Sequence, residues 1–177
     1  MENTFTVNRL AIEKEYIKAC NTPSDINQHL PILRVFANNC KHVTEFGVRN
    51  GQSTRAFLAS GAVLRSYDIV KDFFVSALFD QASYVGRDVE YNIGDTLKID
   101  IEPTDMLFVD TEHTYEQVRG ELNRHHHKVK KYIAFHDTTI FGDAIMPAIE
   151  EFLAVNRSWI IIYRVENNNG LTIIERV

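Results

Sequence analysis

The stretch Val43-Thr44-Glu45-Phe46-Gly47-Val48-Arg49-Asn50-Gly51-Gln52-Ser53-Thr54 constrains the fold of this chain more than any other. It reads as a short buried strand, a glycine-bearing turn and a helix start. Val43 and Phe46 supply the apolar strand residues. Gly47 and Gly51 bracket the turn, where a missing Cβ lets the backbone curl tightly and approach a ligand. Ser53 or Thr54 is placed to cap the helix that runs through Ala56, Phe57 and Leu58. A strand, glycine turn and helix in this order hold a nucleotide-like ligand at the carboxyl end of the first strand of an α/β sheet.

The glycine spacing selects among such ligands. A G-x-G-x-x-G turn brings backbone and helix N-terminus onto a pyrophosphate. Here the spacing is Gly47-x-x-x-Gly51, with Arg49 where a second glycine would stand and Glu45 two residues before the first. A carboxylate there repels a pyrophosphate and attracts an ammonium group, directly or through water. S-adenosylmethionine (SAM) carries an ammonium and no phosphate. At these residues the chain resembles the class I SAM-dependent methyltransferases, whose first motif has this acidic-x-Gly-x-x-x-Gly form.

Residues 1–40 read as helical. Ile12, Tyr16, Ala19 and Cys20 fall at helical spacing, and Asn21-Thr22-Pro23-Ser24-Asp25 breaks the run. Ser24 or Asp25 is placed to cap a second helix through Leu30, Leu33 and Phe36, with Pro31 inside the pattern to kink or shorten it. From residue 41 to 177 strands and helices alternate. The strands are expected at Val43–Phe46, Ala62–Tyr67, Val89–Ile93, Met106–Val109, Tyr132–Phe135, Trp159–Arg164 and Leu171–Ile174. Helices are expected near Ser53–Ala59, Lys71–Tyr84, His113–Lys128 and Asp143–Val155, the last with Pro147 in its first turn. Asn167-Asn168-Asn169-Gly170 signals a hairpin between the last two strands. The pattern predicts an α/β fold: a doubly wound, mostly parallel seven-stranded sheet ending in an antiparallel hairpin. That is also the Rossmann-like architecture of the methyltransferases, and the resemblance runs from about Lys41 to the end.

The 177 residues suit a single domain with a sizeable core. A net charge of −5 argues against a nucleic-acid partner. Cys20 and Cys40 form no metal or redox motif, no apolar run is long enough to span a membrane, and residues 1–4 do not resemble a signal peptide. A cytoplasmic protein is the resulting expectation.

In such a sheet ligands lie beyond the carboxyl ends of the strands. Five strand ends carry acids: Glu45, Asp68, Asp95, Asp110 and Asp137. Unpaired carboxylates are costly when partly buried, so five of them imply work to do. Asp68 has the spacing of a ribose-binding acid. Asp95 resembles the family position beside the adenine amine. With Glu45, Gly47, Gly51, Ser53 and Asp110 these residues form the expected SAM site, although Asp68 and Asp95 also suit plain capping roles.

A second cluster joins Asp110-Thr111-Glu112-His113-Thr114-Tyr115 to His136-Asp137-Thr138. Neighbouring parallel strands lie about 4.8 Å apart, so Asp110, His136 and Asp137 could converge on one cation, Mg²⁺ or another divalent metal. The cluster resembles the metal-dependent O-methyltransferases of the macrocin O-methyltransferase and cephalosporin-hydroxylase-like branch. The resemblance implies Asp110 and Asp137 as metal ligands, His136 in place of the first member of an acidic pair, and His113 as general base toward a hydroxyl of a small molecule, a sugar or sugar-bearing metabolite. Thr111 stands where that branch commonly has glycine, and Lys128-Val129-Lys130-Lys131 replaces its Pro-Gly-Gly turn. His125-His126-His127 and the lysines after it read as a solvated helix end and turn.

Two other readings stay open. One is a methyltransferase-like domain that binds without turnover. The other is a nucleotide- or NAD-binding oxidoreductase on a related sheet. Apart from the N-terminal helices and the Phe141-Gly142-Asp143 loop there is little chain to form a lid, so a homo-oligomer is expected to complete it.

Overall fold

Sheet order places the functional end of the molecule. A computed structural model describes the backbone of residues 2–177 and the side chains from Leu10 onward. The strands are β1 (His42–Phe46), β2 (Val63–Asp68), β3 (Val89–Ile93), β4 (Thr104–Val109), β5 (Val129–His136), β6 (Trp159–Val165) and β7 (Leu171–Arg176). They form one seven-stranded sheet in the order β3-β2-β1-β4-β5-β7-β6. All pairs are parallel except β5–β7 and β7–β6. The helices are α1 (Glu2–Asn21), α2 (Leu30–Asn38), α3 (Gln52–Ser60), α4 (Phe73–Tyr84), α5 (Tyr115–His125) and α6 (Gly142–Val155). Among the described residues no helix is long and apolar enough to cross a membrane.

The strand period of two divides the core. Met106 and Phe108 of β4 pack toward α1–α4 with Val43, Leu64 and Ala56, while Leu107 and Val109 pack toward α5 and α6 with Phe135, Val118 and Ile149. Both faces of β4 are therefore buried, as expected of a central parallel strand.

Several boundaries differ from expectation, each for a local reason. α3 has Gly51 as its N-cap, in the left-handed conformation, because the Ser53 and Thr54 hydroxyls are drawn to Glu45 instead. α2 starts at Leu30 after His29, with Pro31 in its first turn, where a missing N–H costs nothing. Ser24 caps only its own turn, to the Ile26 amide, and Asp25 pairs with Arg49. α5 begins two residues later than expected, because the Thr114 side chain accepts from the Gln117 amide and fixes the helix start. His113 is thereby left in the loop. α6 starts at Gly142, which puts Pro147 in its second turn. β5 extends back to Val129, so Lys130 and Lys131 are strand residues. His125 is buried against Phe46, with Nε2 2.7 Å from the Thr96 carbonyl, so only part of the histidine run is solvated.

Candidate functional site

β1 and β4 are neighbours although three strands apart in the chain, and the crossovers leaving them run to opposite faces. That reversal opens a crevice at their carboxyl ends. The Asp110 amide donates to the Phe46 carbonyl (2.9 Å) and the Gly47 amide to the Tyr67 carbonyl (3.0 Å), so the first loop residues continue the sheet. Gly47 has φ +80°, and a Cβ on it would lie 2.6 Å from the Asp110 carbonyl carbon and closer to its oxygen. Only glycine lets the two loops touch there. Above them lies a cavity of about 760 Å³, lined by residues following β1, β2, β3, β4 and β5. That is the size of a small-molecule cofactor site.

Four of the five strand-end acids line this cavity: Asp68, Asp95, Asp110 and Asp137. Glu45 does not. It shares the face of Val43 toward α3 and is fully buried. Its carboxylate accepts from Ser53 Oγ (2.6 Å), Ser66 Oγ (2.5 Å) and Thr54 Oγ1 (3.0 Å). Burial pushes its pKa up to about 7, against the pull of those hydroxyls. Glu45 and Ser53, expected at the ligand, instead tie β1, β2 and α3 together beneath it.

Asp68 shapes the turn from the cavity side. Its Oδ2 accepts from the amides of Val48 (2.8 Å) and Arg49 (2.9 Å), and Oδ1 from Val70 (3.0 Å). Asp95 accepts from the Leu97 amide (2.9 Å) and pairs with Lys98 (2.6 Å), which hold its carboxyl below the usual range. Both acids thus brace loop backbone and also face the cavity.

At the other end lies a compact charge cluster. Asp110, His113 and Asp137 each bring a ligand atom within 4.8 Å of the others. His113 Nε2 is 2.7 Å from Asp137 Oδ2 and 3.4 Å from Asp110 Oδ1. His136, expected as the third metal ligand, approaches from beneath. Its Nδ1 lies 3.3 Å from Asp137 Oδ1 and 3.5 Å from Asp110 Oδ1, and its Nε2 3.2 Å from the Asn168 carbonyl. Hydrogen bonds to Asp110 and Asp137 raise the His113 pKa to about 9. Burial lowers that of His136, but the same carboxylates outweigh it and hold it at about 10. Both shifts favour the imidazolium form of these rings beside the two carboxylates. The cluster has the donor set of a divalent cation site. Asp137 Oδ1 is buried without a hydrogen bond, and Asp137 adopts φ +59°, a left-handed conformation that aims its carboxylate into the cluster.

Three solved structures of similar fold are methyltransferases. An O-methyltransferase from Bacillus cereus in complex with S-adenosylhomocysteine (SAH) has a TM-score of 0.67 at 13% identity, covering 97% of this chain and 91% of that one. The N1-methyltransferase of 1,6-didemethyltoxoflavin from Burkholderia thailandensis, with SAH bound, scores 0.67 at 13% identity, covering 99% and 90%. TomG from Streptomyces achromogenes, an O-methyltransferase of tomaymycin synthesis in complex with SAM, scores 0.64 at 14% identity, covering 88% and 82%. The chain has the methyltransferase fold. No family model matches the sequence, and no curated protein matches it. Two of these three structures are named for transfer to oxygen and one for transfer to nitrogen, so the fold leaves the acceptor open.

On this methyltransferase fold the cavity wall includes Thr96 and Gln117, which sequence reading passed over, and Thr111, read there only as a replacement for glycine. Thr96, Gln117 and Thr111 line it and converge on Glu121, which accepts from their side chains at 2.6, 2.9 and 2.9 Å. Glu121 is fully buried, and burial raises its pKa. The signal was present: Glu121 interrupts the apolar stripe of Val118 and Leu122 on α5. Phe141 stacks on His113 and was read only as a loop residue. Arg49 and Asp25 pair across the cavity rim (2.8 Å), a contact between segments that periodicity cannot join.

Proposed function

We propose that this chain is a SAM-dependent methyltransferase of the cytoplasm that acts on a hydroxyl of a small molecule. The observation that carries this reading is the charge of the cavity wall. Six acids line it (Asp25, Asp68, Asp95, Asp110, Glu112 and Asp137) against Arg49 and His113. Such a wall favours a ligand bearing sulfonium and ammonium charges and disfavours a pyrophosphate. The likeness to SAM- and SAH-bound structures supports the same choice over an NAD-dependent oxidoreductase.

In this reading Asp68 receives the ribose hydroxyls and Asp95 the adenine amine, while Gly47 lets the ligand approach the backbone and Gly51 starts the supporting helix. Asp110 faces the sulfonium end of the ligand. Glu45 and Ser53 act from below, fixing the strand and helix that carry the turn. The acceptor oxygen sits by His113, where its lone pair forms the bond to the methyl carbon as the C–S pair returns to sulfur. His113 takes the acceptor proton once it has given up its own, and Asp137 orients the ring. A divalent cation held by Asp110, Asp137 and a histidine, His113 or His136, would supply charge that stabilises the deprotonated oxygen. A sugar-type acceptor, as in the macrocin O-methyltransferase-like branch, rests on the motif after β4 alone.

The two carboxylates that favour a protonated His113 lend weight to one competing reading, a domain of this fold that binds cofactor without turnover. Calorimetry with SAM, SAH and NAD is the first test. Micromolar binding of the adenosyl ligands without NAD supports the methyltransferase reading, and a subsequent acceptor screen separates enzyme from binding domain. Absence of adenosyl binding by folded protein would end both readings.

A further inference from the structure

Arg49 stands in a place that suits glycine. Its φ is +49°, within a turn otherwise built on Gly47 and Gly51. A left-handed non-glycine residue is unfavourable and persists where the surroundings hold it. Here the Asp68 carboxylate holds it, accepting from the Arg49 amide. The chain thus keeps a long cation where a residue without a side chain would be easier. Arg49 is the only lysine or arginine among the residues lining the cavity.

Its side chain reaches over the rim to Asp25, with Nη1 2.8 Å from Oδ2. Asp25 is on the loop between α1 and α2, and that loop is fixed independently. Asn168 Nδ2 donates to the Ser24 carbonyl (2.7 Å), and Asn27 Nδ2 to the Cys20 carbonyl (3.0 Å). The Arg49 side chain is 79% exposed and that of Asp25 37%. An ion pair this open contributes little to stability and exchanges partners at little cost. Both members face the cavity.

The sheet order gives the ligand a direction. Asp95 follows β3, Asp68 ends β2, and the Arg49 turn follows β1. A nucleoside laid over β3 and β2 points its 5′ substituent toward Arg49 and Asp25. A guanidinium and a carboxylate side by side complement an ammonium and a carboxylate on one carbon.

We propose that Arg49 and Asp25 recognise the zwitterionic α-amino-acid end of the ligand, Arg49 taking the carboxylate and Asp25 the ammonium. The assignment rests on the SAM reading and adds the pair that distinguishes the whole cofactor from its nucleoside part. It also makes the α1–α2 loop part of the cofactor site.

The test compares SAH with 5′-methylthioadenosine, which keeps the nucleoside and thioether but lacks the amino acid. Calorimetry is run on the full chain and on Arg49→Gly and Asp25→Asn. Arg49→Gly suits a positive φ, so the turn survives the loss of the cation. The expected result is that Arg49→Gly weakens SAH about tenfold or more, the scale of a lost charge-assisted hydrogen bond, and leaves methylthioadenosine within about twofold. Asp25→Asn is expected to show the same selectivity with a smaller loss. Equal losses for both ligands, or unchanged SAH affinity, would overturn the assignment while the cofactor reading stands. Failure of the unmodified chain to bind either ligand would overturn both.

Discussion

The His113 imidazole lies flat on the Phe141 ring, with centroids 4.4 Å apart and planes 5° from parallel. Phe141 also donates its backbone amide to the Asp137 carbonyl (3.0 Å), so one residue fixes both members of the His113–Asp137 pair. Removing the ring frees the imidazole without touching the Asp68 and Asp95 side of the cavity. Phe141→Ala is expected to lower turnover about tenfold, and His113→Ala by about a hundredfold or more, each with SAH affinity changed less than about twofold. Transfer from labelled SAM to an acceptor found by screening measures the first effect and calorimetry the second. Normal turnover of His113→Ala would end its role as proton acceptor.

Gly47 and Gly86 separate two costs of a side chain. Both have positive φ, but a Cβ on Gly86 meets nothing within 4 Å, whereas one on Gly47 runs into the Asp110 backbone. Gly86→Ala is expected to cost about 1 kcal/mol, the left-handed penalty alone. Gly47→Ala adds a steric clash with backbone and is expected to cost about 3 kcal/mol or more and to abolish SAH binding. Urea denaturation of the two variants gives the comparison. Equal costs would mean that the two loops can part easily.

Glu45 makes stability depend on pH in an unusual direction. Its pKa is raised from the ordinary 4.5 to about 7, so the fold prefers the protonated acid. That contribution is fully present below about pH 4.5 and is lost as pH rises through about 7. The change is at most about 3 kcal/mol from the size of the shift. Glu45→Gln stays neutral throughout. The stability difference, Glu45→Gln minus wild type, is therefore expected to grow in favour of the mutant between pH 4.5 and 8. A difference independent of pH would mean that Glu45 is ionised in the fold at all these values.

Asn168 fastens the loop that carries Asp25. It has φ +50°, accepts from the Gln28 amide (2.7 Å) and donates to the Ser24 carbonyl (2.7 Å). Asn168→Gly keeps the turn and removes both hooks. Amides of residues 24–29 are expected to exchange with solvent about tenfold faster, with β1 and β4 amides unchanged. Uniform acceleration would show that the loop opens only with the whole molecule.

The alternation of strands and helices was legible because β4 and β5 are short apolar runs and α5 and α6 carry apolar stripes. The strand-end acids were legible too, since topology alone brings Asp68, Asp95, Asp110 and Asp137 to one edge. Glu45 was misplaced for a reason of geometry. Its position was read along the chain, but the pleat turns it toward α3 with Val43, under the turn rather than over it. His113 was read as helical because Tyr115, Val118 and Leu122 set a helical period that does not say where the helix begins. The Thr114 cap decides that, and it leaves His113 free to meet Asp137. The contacts of Arg49 with Asp25, and of Asn168 with Ser24, join segments far apart in sequence that no local pattern links.

The Asn168 contacts have a consequence for synthesis. Gln28 and Asn168 are separated by 140 positions, so the loop bearing Asp25 is fastened by a turn translated long after it. α1 and α2 can form early from local contacts, and Asn27 can bond the Cys20 carbonyl at once, but their loop lacks the Asn168 anchor until β6 and β7 have paired. Long-range closure of this kind is slow relative to helix formation. The cavity edge of the nascent chain therefore stays less tightly held until the β6–β7 hairpin is in place, and a ribosome-stalled chain ending before residue 168 would have the Gly47–Gly51 turn beside a loop without its Asn168 anchor.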